Sequence, residues 1–378
     1  MTPPRLLFVV ESGTDVRLVD GLARHFALRV LARRIDGGVE ISHPPDAPIE
    51  VSVGPASRFA FARRALGHLR RHRRDVDVVL AQGYGVGALV ANLARRLWGI
   101  PTAMLVCSPV ELYYRCRAVN PVAGKPYRRR ELAALEIVAR LNARLGARYI
   151  VLSRHLRDVV LRHGTRRPID VVPVYGVDST VFRPPLRDKR SIRADAGLPD
   201  RGALIFFGSR IAPEKDAITL IDAFKKLLDA GRDVWLLHRS GGYREFSEAA
   251  RSGGIDHRII AMDAVHPLHD LPRDYHASDV FIQASREEGL GFAPLEALAC
   301  ETPVVAAQTG GLRETIKDGT TGWTYPVGNV TALAAQIEDV LDRPDEAARR
   351  AAAGRAMVVA DYERDGVFRS LAAILGTV

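Results

Sequence analysis

Short apolar runs alternate with helix-like stretches along almost the whole 378-residue chain, and this alternation limits the fold more than any other feature. In the first half, strands are predicted at residues 6–10, 27–31, 76–81, 102–106, 149–152 and 171–174. The pattern restarts in the second half, with strands predicted at 203–207, 234–238, 280–283, 304–306 and 323–325. Strands separated by helices form parallel sheets that are covered on both faces. We therefore predict an α/β protein with two Rossmann-like domains, each a doubly wound parallel sheet.

The most informative local motif lies at residues 285–296, Ser-Arg-Glu-Glu-Gly-Leu-Gly-Phe-Ala-Pro-Leu-Glu. Its two glycines let the backbone turn tightly, and Pro294 suits the first turn of the helix that follows. The N-terminus of a helix exposes N–H groups that favour a phosphate group. Glu288 and Glu296 flank the turn, where their carboxylates can accept hydrogen bonds from hydroxyl groups. A phosphate between two sets of hydroxyl groups describes a nucleotide sugar.

The segments that follow this motif extend the pattern. They read Ala-Leu-Ala-Cys-Glu-Thr-Pro-Val-Val-Ala-Ala at 297–307 and Thr-Gly-Gly-Leu-Arg-Glu at 309–314. The whole region resembles the retaining GT-B glycosyltransferases of glycosyltransferase family 4, whose hallmark is two glutamates eight positions apart, followed by G-x-P-V-V-A and G-G. Glu301 stands where that family usually has glycine. The resemblance implies the GT-B fold, in which two Rossmann-like domains face a cleft.

The resemblance also implies roles for the residues of the donor site. The family holds the phosphates of the donor with the Arg and Lys of a G-R-x-x-x-x-K-G motif, which Arg210 and Lys215 match, while Asp216 replaces the second glycine. Glu288 is expected to bind hydroxyls of the donor sugar, and Glu296 those of the ribose. The catalytic roles fall to Glu288, Arg210 and Lys215. The other donor-binding residues implied by the resemblance are Ser209, Gly289, Leu290, Gly291 and Phe292.

The first domain departs from the family pattern. The family supplies a glycine-rich loop after the first strand and a histidine after a later strand. Here Gly13 and Thr14 are the candidates in the first loop, and Cys107 or Ser108 occupies the position of the histidine. We expect Gly13, Thr14 and Ser108 on the acceptor side. No metal ion or other cofactor is expected, because GT-B enzymes typically need none. Two groups that imitate metal sites are predicted to be structural, namely Asp75 with Asp77, and His266 with His269 and His276.

The net charge of +10 is concentrated in part at residues 58–74, which contain no acidic side chain. The arginines of this segment are Arg58, Arg63, Arg64, Arg70, Arg71, Arg73 and Arg74. The apolar residues Phe59, Ala62, Leu66 and Leu69 recur at helical spacing, so a basic amphipathic helix is predicted. Two interpretations stay open. The helix either solvates its charges as an ordinary surface helix, or it docks on anionic lipid headgroups near a lipid-linked acceptor.

We predict an acceptor-side domain at 1–183, a nucleotide-sugar-binding domain at 184–358, and a helix at 359–378 that crosses back to the first domain. The interdomain linker is predicted at 175–190. No apolar segment approaches the length of about 18 residues that spans a bilayer. The three cysteines (Cys107, Cys116 and Cys300) show neither a disulfide framework nor metal spacing, which indicates a reducing cytoplasm.

The predicted function is a cytoplasmic, retaining glycosyltransferase that is peripheral on the inner face of the plasma membrane if the basic helix docks there. It moves a sugar from a UDP- or GDP-sugar to a glycan, a lipid-linked saccharide or another hydroxyl acceptor. One alternative is a GT-B sugar-nucleotide hydrolase or epimerase. Another is a basic nucleic-acid-binding protein, although the sequence has no RNP-like aromatic motif and no zinc-finger pattern, so nucleic acid is not expected as a partner.

Overall fold

A computed structural model of the chain describes residues 3–11, 13–34, 49–120, 126–265, 268 and 270–378. Internal contacts divide the chain into two compact units. The first unit comprises Met1–Glu111, Arg128–Gly176 and Arg364–Val378, and the second comprises Leu112–Tyr127 and Val177–Glu363. The division after Gly176 differs from the predicted boundary at residue 183. The second unit begins earlier because the Val177 N–H donates to the carbonyl of Tyr362 at 2.8 Å.

The first unit is built on a seven-stranded sheet in which all the paired strands are parallel. Its strands are β1 (Arg5–Val10), β2 (Ala27–Arg33), β3 (Glu50–Gly54), β4 (Val78–Gln82), β5 (Thr102–Val106), β6 (Arg148–Val151) and β7 (Ile169–Val171). Their order in the sheet is β3-β2-β1-β4-β5-β6-β7. The sequence did not predict the edge strand β3, because Glu-Val-Ser-Val-Gly has no continuous apolar run and is only half-buried. The central strands β1, β4 and β5 are almost wholly buried, as expected for a sheet that is covered on both faces.

The second unit has a six-stranded parallel sheet of the same kind. Its strands are β8 (Ala203–Phe207), β9 (Val234–Arg239), β10 (Ile259–Met262), β11 (Val280–Gln283), β12 (Val304–Ala307) and β13 (Trp323–Tyr325). Their order is β10-β9-β8-β11-β12-β13. The strand order reverses between β8 and β11, which pair directly in the middle of the sheet. Ligands of open α/β sheets bind at such a switch point, outside the carboxyl ends of the strands.

Helices connect the strands of both units. They are α1 (Val16–Ala23), α2 (Arg58–Arg71), α3 (Val86–Trp98), α4 (Val110–Val119), α5 (Arg129–Leu145), α6 (Arg154–Arg162), α7 (Lys189–Asp195), α8 (Ala217–Asp229), α9 (Tyr243–Ser252), α10 (Leu271–Ala277), α11 (Phe292–Ala299), α12 (Leu312–Thr315), α13 (Val330–Asp342), α14 (Pro344–Asp361) and α15 (Arg364–Leu375). A 3₁₀ turn at Asp256–Arg258 precedes β10. None of the helices in the described ranges combines the length and the apolar character needed to cross a membrane.

Two predicted segments differ from the structure. The linker expected at 175–190 ends in the first turn of α7, which begins at Lys189 because the Asp188 carboxylate accepts the N–H of Ser191 at 2.9 Å. The tail helix expected at 359–378 is divided between the end of α14 and α15. The break falls at Tyr362 and Glu363, where the backbone turns aside to pair with Val177. Helix α15 packs on α1 of the first unit.

The basic helix α2 buries an apolar stripe that shares Leu69 with the predicted one. Its buried side chains are Phe61, Ala65 and Leu69, and the ring of Phe59 is 82% exposed. The helix begins at Arg58, after Ser57, whose side chain accepts the Ala60 N–H at 3.5 Å. The prediction of Phe59 as part of the buried stripe was wrong, because the positions spaced by four from Phe61 pack inward.

The residues that imitate metal sites have other partners where the structure describes them. Asp77 pairs with Arg5 at 2.8 Å, and the Asp75 carboxylate lies 3.4 Å from the ring of His72. A ring nitrogen of His276 contacts the carbonyl of Arg183 at 2.7 Å. His266 and His269 lie outside the described residues.

Candidate active site

A lysine and a glutamate meet at the switch point of the second sheet. Lys215 lies on the loop after β8, Glu288 lies on the loop after β11, and Lys215 Nζ is 2.5 Å from Glu288 Oε2. The two side chains are only 16% and 11% exposed. A charge-assisted hydrogen bond of this length is stronger than a neutral one, and partial burial reduces its screening. The structure therefore brings together two of the three residues for which the sequence predicted catalytic roles.

Three further side chains donate hydrogen bonds to the Glu288 carboxylate. Gln283 Nε2 and Ser285 Oγ each lie 3.1 Å from Oε2, the oxygen that also contacts Lys215. The hydroxyl of Tyr113 lies 3.3 Å from Oε1. These contacts fix the orientation of a carboxylate that is otherwise costly to bury. Sequence reasoning missed all three residues.

The backbone on either side of Glu288 is tightly packed against the second glycine turn. The Gly311 N–H donates to the Glu288 carbonyl at 2.9 Å. Gly310 has a positive φ of 44°, and a Cβ atom there would lie 2.1 Å from the same carbonyl, so only glycine fits. Gly291, with φ of 92°, then provides the turn into α11, whose first residue is Phe292. Gly289, Leu290 and Gly291 are all buried at this turn.

Glu296 lies inside α11 and is 3% exposed. The hydroxyl of Tyr275 donates a hydrogen bond to its Oε2 at 3.1 Å. The sequence predicted the glutamate at this position, but not the tyrosine that contacts it. The contact with Tyr275 orients the Glu296 carboxylate, and the role of this residue in binding a ribose stays a prediction.

Arg210 and Asp216 belong to the same loop as Lys215. Arg210 is the more solvent-accessible cation, with its side chain 68% exposed and its guanidinium 3.8 Å from Glu214. Asp216 is 1% exposed and has a positive φ of 50°, a conformation that favours glycine. Its carboxylate forms an ion pair with Arg286 at 2.9 Å and accepts the Thr219 hydroxyl at 2.7 Å. The aspartate that replaces the usual glycine therefore links the loop after β8 to the loop after β11.

His238, near the end of β9, contacts the loop after β8 that carries Ser209. It is fully buried, its ring stacks on Phe246 with centroids 4.1 Å apart, and Nε2 donates to the Ser209 carbonyl at 3.0 Å. Burial lowers the pKa of His238 to about 4, and the bond to Ser209 opposes that shift. The imidazole is consequently neutral at physiological pH, and Ser209 is held through its backbone.

The candidate acceptor-side residues of the first unit are neutral and follow two strands of its sheet. Gly13 and Thr14 follow β1, with Gly13 exposed and Thr14 half-buried, whereas Cys107 and Ser108 follow β5 and are both half-buried. Because β4 lies between β1 and β5, these two loops are not neighbours in the sheet. Burial raises the pKa of Cys107 to about 12, so its thiol stays protonated and cannot replace an imidazole as a base.

Sequence patterns of two glycosyltransferase families match the chain. The pattern described as "Glycosyl transferases group 1" matches residues 188–357, and that described as "Glycosyl transferase 4-like domain" matches residues 16–174. The D-inositol 3-phosphate glycosyltransferase of Geodermatophilus obscurus is 30% identical over 323 residues, which cover 81% of this chain and 69% of the relative. The chain belongs to the group 1 glycosyltransferases.

A second relative of this glycosyltransferase is the GDP-mannose-dependent alpha-(1-6)-phosphatidylinositol monomannoside mannosyltransferase of Mycolicibacterium smegmatis. It is 31% identical over 264 residues, which cover 59% of this chain and 69% of the relative. Among solved structures, a sucrose-phosphate synthase from Thermosynechococcus elongatus has a TM-score of 0.82 at 18% identity and covers 99% of both chains. Anabaena HepE in complex with UDP-glucose has a TM-score of 0.80 at 17% identity, covering 99% of this chain and all of HepE.

These comparisons confirm the predicted family and the GT-B fold. The glycosyltransferase is an enzyme of the hexosyltransferase type that moves a sugar from a nucleotide-sugar donor. The family match favours the glycosyltransferase over the alternative of a nucleic-acid-binding protein. Of the contacts missed from the sequence, Gln283 is the last residue of β11 and Ser285 lies two positions after it, so the period of two in a strand could have indicated both. Tyr113 lies 175 positions from Glu288, and no local pattern predicts that contact.

Proposed function

We propose that the glycosyltransferase transfers a hexose, with retention of anomeric configuration, from a UDP- or GDP-sugar to a hydroxyl of a glycan or lipid-linked saccharide. The observation that carries this proposal is the meeting of Lys215 and Glu288 at 2.5 Å beside the start of α11. A cation, a carboxylate and a helix N-terminus at one sheet edge match the phosphate and hydroxyl groups of a sugar nucleotide.

In this proposal each charged group has a defined partner. Arg210 and Lys215 hold the diphosphate and stabilise the negative charge that develops as it leaves. Glu288 accepts a hydrogen bond from the donor sugar, and Glu296 accepts hydrogen bonds from the ribose. The backbone from Gly289 to Phe292, together with Ser209, borders the sugar and phosphate.

We propose a front-side reaction, in which the acceptor attacks from the face that the diphosphate leaves, so that the configuration is retained. The departing phosphate oxygen then takes the proton of the acceptor hydroxyl, so no side chain must act as a general base. The same two cations supply the positive charge that a divalent metal supplies in other phosphate sites, and we propose transfer without a metal or another cofactor.

The acceptor side is assigned to Gly13, Thr14 and Ser108 of the first unit. Thr14 Oγ1 is buried and has no hydrogen-bond partner among the described residues. A buried hydroxyl without a partner is unfavourable, and an acceptor hydroxyl would satisfy it. The hydroxyl groups of Thr14 and Ser108 suit an uncharged alcohol as the acceptor.

A cytoplasmic location with peripheral attachment to an anionic membrane completes the proposal. Arg70, Arg71, Arg73 and Arg74 line an open recess of about 510 Å³ at the end of α2, with Asp75 as its acidic lining residue. All four side chains are exposed, and Phe59 at the start of the helix is 82% exposed. Exposed arginines attract anionic lipid by about 1 kcal/mol each near the surface, and an exposed aromatic ring inserts at the interface.

Nucleotide binding tests the donor assignment. UDP or GDP at millimolar concentration should raise the Tm of the protein, and Glu296→Ala should remove most of that rise because the ribose contact is lost. Glu248→Ala, which removes an exposed glutamate from α9, serves as the control and should keep the rise. If neither nucleotide raises the Tm of the unaltered protein, the donor site is assigned wrongly.

Liposome flotation tests the membrane assignment. The protein should float with vesicles that contain phosphatidylserine, less so with pure phosphatidylcholine, and binding should weaken as salt rises. Replacing Arg70, Arg71, Arg73 and Arg74 together by Gln should abolish flotation. The matched control replaces four exposed arginines elsewhere in the first unit, Arg157, Arg162, Arg166 and Arg167. Equal loss in both variants would show attraction by net charge alone and would contradict docking through α2.

A further inference from the structure

The segment Leu112–Tyr127 follows β5 of the first sheet in the chain, yet its contacts place it in the second unit. It contains most of α4, and it reaches both loops of the candidate active site. Asn120, 5% exposed, donates from Nδ2 to the carbonyl of Pro213 at 2.8 Å, on the loop that carries Lys215. Tyr113 contacts the loop that carries Glu288. One segment therefore links the two loops that hold the donor.

The hydroxyl of Tyr113 makes two hydrogen bonds at once. It donates to Glu288 Oε1 at 3.3 Å and accepts the N–H of Gly289 at 3.2 Å. Burial, and then the charge of Glu288, raise the pKa of Tyr113 well above its usual value, so the phenol keeps its proton and remains a donor. The tyrosine thus fixes the carboxylate relative to the backbone that follows it.

The two oxygens of Glu288 are unequally occupied. Oε2 receives Lys215 Nζ, Gln283 Nε2 and Ser285 Oγ. Oε1 receives the Tyr113 hydroxyl as its donor among the described residues. A carboxylate offers about four acceptor positions, roughly two on each oxygen. The position left for a ligand is therefore on Oε1, beside Tyr113, and the direction of that lone pair depends on the tyrosine.

We propose that Tyr113 is a positioning residue for donor-sugar recognition, which aims Oε1 of Glu288 at one hydroxyl of the hexose. The inference rests on the proposed function, in which Glu288 binds the sugar and not the nucleotide. Tyr113 acts through Glu288, so its loss affects sugar recognition and leaves recognition of the nucleoside diphosphate intact. It also forms the wall beside that hydroxyl, which makes it a determinant of which hexose is accepted.

Binding of whole and truncated donors to Tyr113→Phe tests this inference. By isothermal titration, the Kd for the accepted sugar nucleotide, UDP-glucose or GDP-mannose, should rise roughly tenfold, the usual effect of losing a hydrogen bond to a charged group. The Kd for the matching free UDP or GDP should stay unchanged. In turnover assays, KM for the sugar nucleotide should rise more than kcat falls.

Tyr114→Phe is the matched control, since it removes a hydroxyl from the same helix. The Tyr114 ring packs against Tyr127 and carries the guanidinium of Arg117 over its face. This variant should bind both the sugar nucleotide and the free nucleotide as the unaltered protein does. Circular dichroism and thermal melting establish that both variants fold.

The remaining outcomes overturn the inference in different ways. If Tyr113→Phe leaves the Kd for the sugar nucleotide unchanged while Glu288→Gln weakens it, the tyrosine is not a positioning residue but the proposed function stands. If the Kd values for the free nucleotide and for the sugar nucleotide rise equally, Tyr113 stabilises the whole site and does not act on sugar recognition. Tighter binding would mean that the phenol competes with the sugar. If the unaltered protein binds none of the four compounds, the proposed function fails together with the inference.

Discussion

The loops at the carboxyl ends of the two sheets carry different chemistry. In the second unit, ionised side chains from adjacent loops contact one another, as Lys215 and Glu288 do at 2.5 Å and Asp216 and Arg286 do at 2.9 Å. In the first unit, the loop after β5 presents the protonated thiol of Cys107. A diphosphate needs fixed positive charge, whereas an alcohol needs only neutral hydrogen-bonding groups.

Two acidic residues of the first unit contact groups near the starts and ends of its helices. The Glu11 carboxylate, at the end of β1, accepts the Gly87 N–H at 2.9 Å near the start of α3. The Glu111 carboxylate, at the start of α4, lies 3.0 Å from the ring of His163, with both side chains below 10% exposure. We infer that the second unit supplies the lysine that a leaving diphosphate requires, whereas the candidate residues of the first unit are neutral. This difference between the units yields predictions of decreasing size.

The largest effect is expected from removing the lysine. Lys215→Ala should lower kcat/KM by roughly 100-fold or more, because it removes a cation from the leaving diphosphate and leaves Glu288 without its ion-pair partner. The counterpart in the first unit, Cys107→Ser, should change kcat/KM by less than about threefold, since a neutral thiol supplies no charge to the transition state. Initial rates with a sugar nucleotide measure both. A comparable loss in the two variants would break the contrast between the units.

The second prediction concerns the ion pair that joins the two donor loops. Asp216→Asn should lower the free energy of unfolding by roughly 3 kcal/mol, because it leaves the partly buried Arg286 without its counter-charge. Asp229→Asn, on the same helix α8, removes an exposed pair with Lys225 and should cost less than about 0.5 kcal/mol. Urea unfolding with an unchanged m-value measures both. Equal costs would contradict a structural role for charge in this loop.

The sequence predicted the parts of this contrast that depend on local pattern. Continuous apolar runs identified the buried strands, and the glutamates around the glycine turn at 285–296 marked a loop that lies at the switch point of the second sheet. It did not predict that Tyr113 leaves the sheet that precedes it and contacts Glu288, because that contact depends on how a connecting segment packs. It also registered Asp216 and Glu301 only as departures from the family. The positive φ of each residue shows what the departure costs.

The third prediction concerns the pH dependence of stability, because the second unit contains the buried, neutral imidazole of His238. The pKa of His238 is about 4 in the folded protein and about 6.5 when unfolded, so between these values the unfolded chain binds the extra proton. Stability should therefore fall as pH decreases, by about 1.5 kcal/mol between pH 6.5 and pH 5. In His238→Phe this fall in the free energy of unfolding should vanish. Urea unfolding of both proteins at about pH 6.5 and about pH 5 measures it. An identical pH dependence in the variant would show that other groups cause it.

The smallest effect is expected at Glu301, and it has the opposite sign. Glu301 follows the C-cap of α11 with φ of 56°, the position at which glycine ends many helices, and its ion pair with Arg355 is long at 3.8 Å and partly exposed. Glu301→Gly should raise the free energy of unfolding by about 0.5 to 1 kcal/mol. Glycine removes the strain of the left-handed backbone, and this gain exceeds two costs, namely the lost weak ion pair and the greater entropy of the unfolded chain. Glu301→Ala removes the same carboxylate but keeps the strained backbone, so it should give no gain.

Asp216→Gly relieves the same kind of backbone strain in the loop after β8, yet it should destabilise the protein because the ion pair of Asp216 with Arg286 is lost. If both glycine variants were stabilising, the ion pair of Asp216 with Arg286 would not stabilise the fold. The strained backbone of Asp216 would then have to be explained by an effect of the aspartate on donor binding.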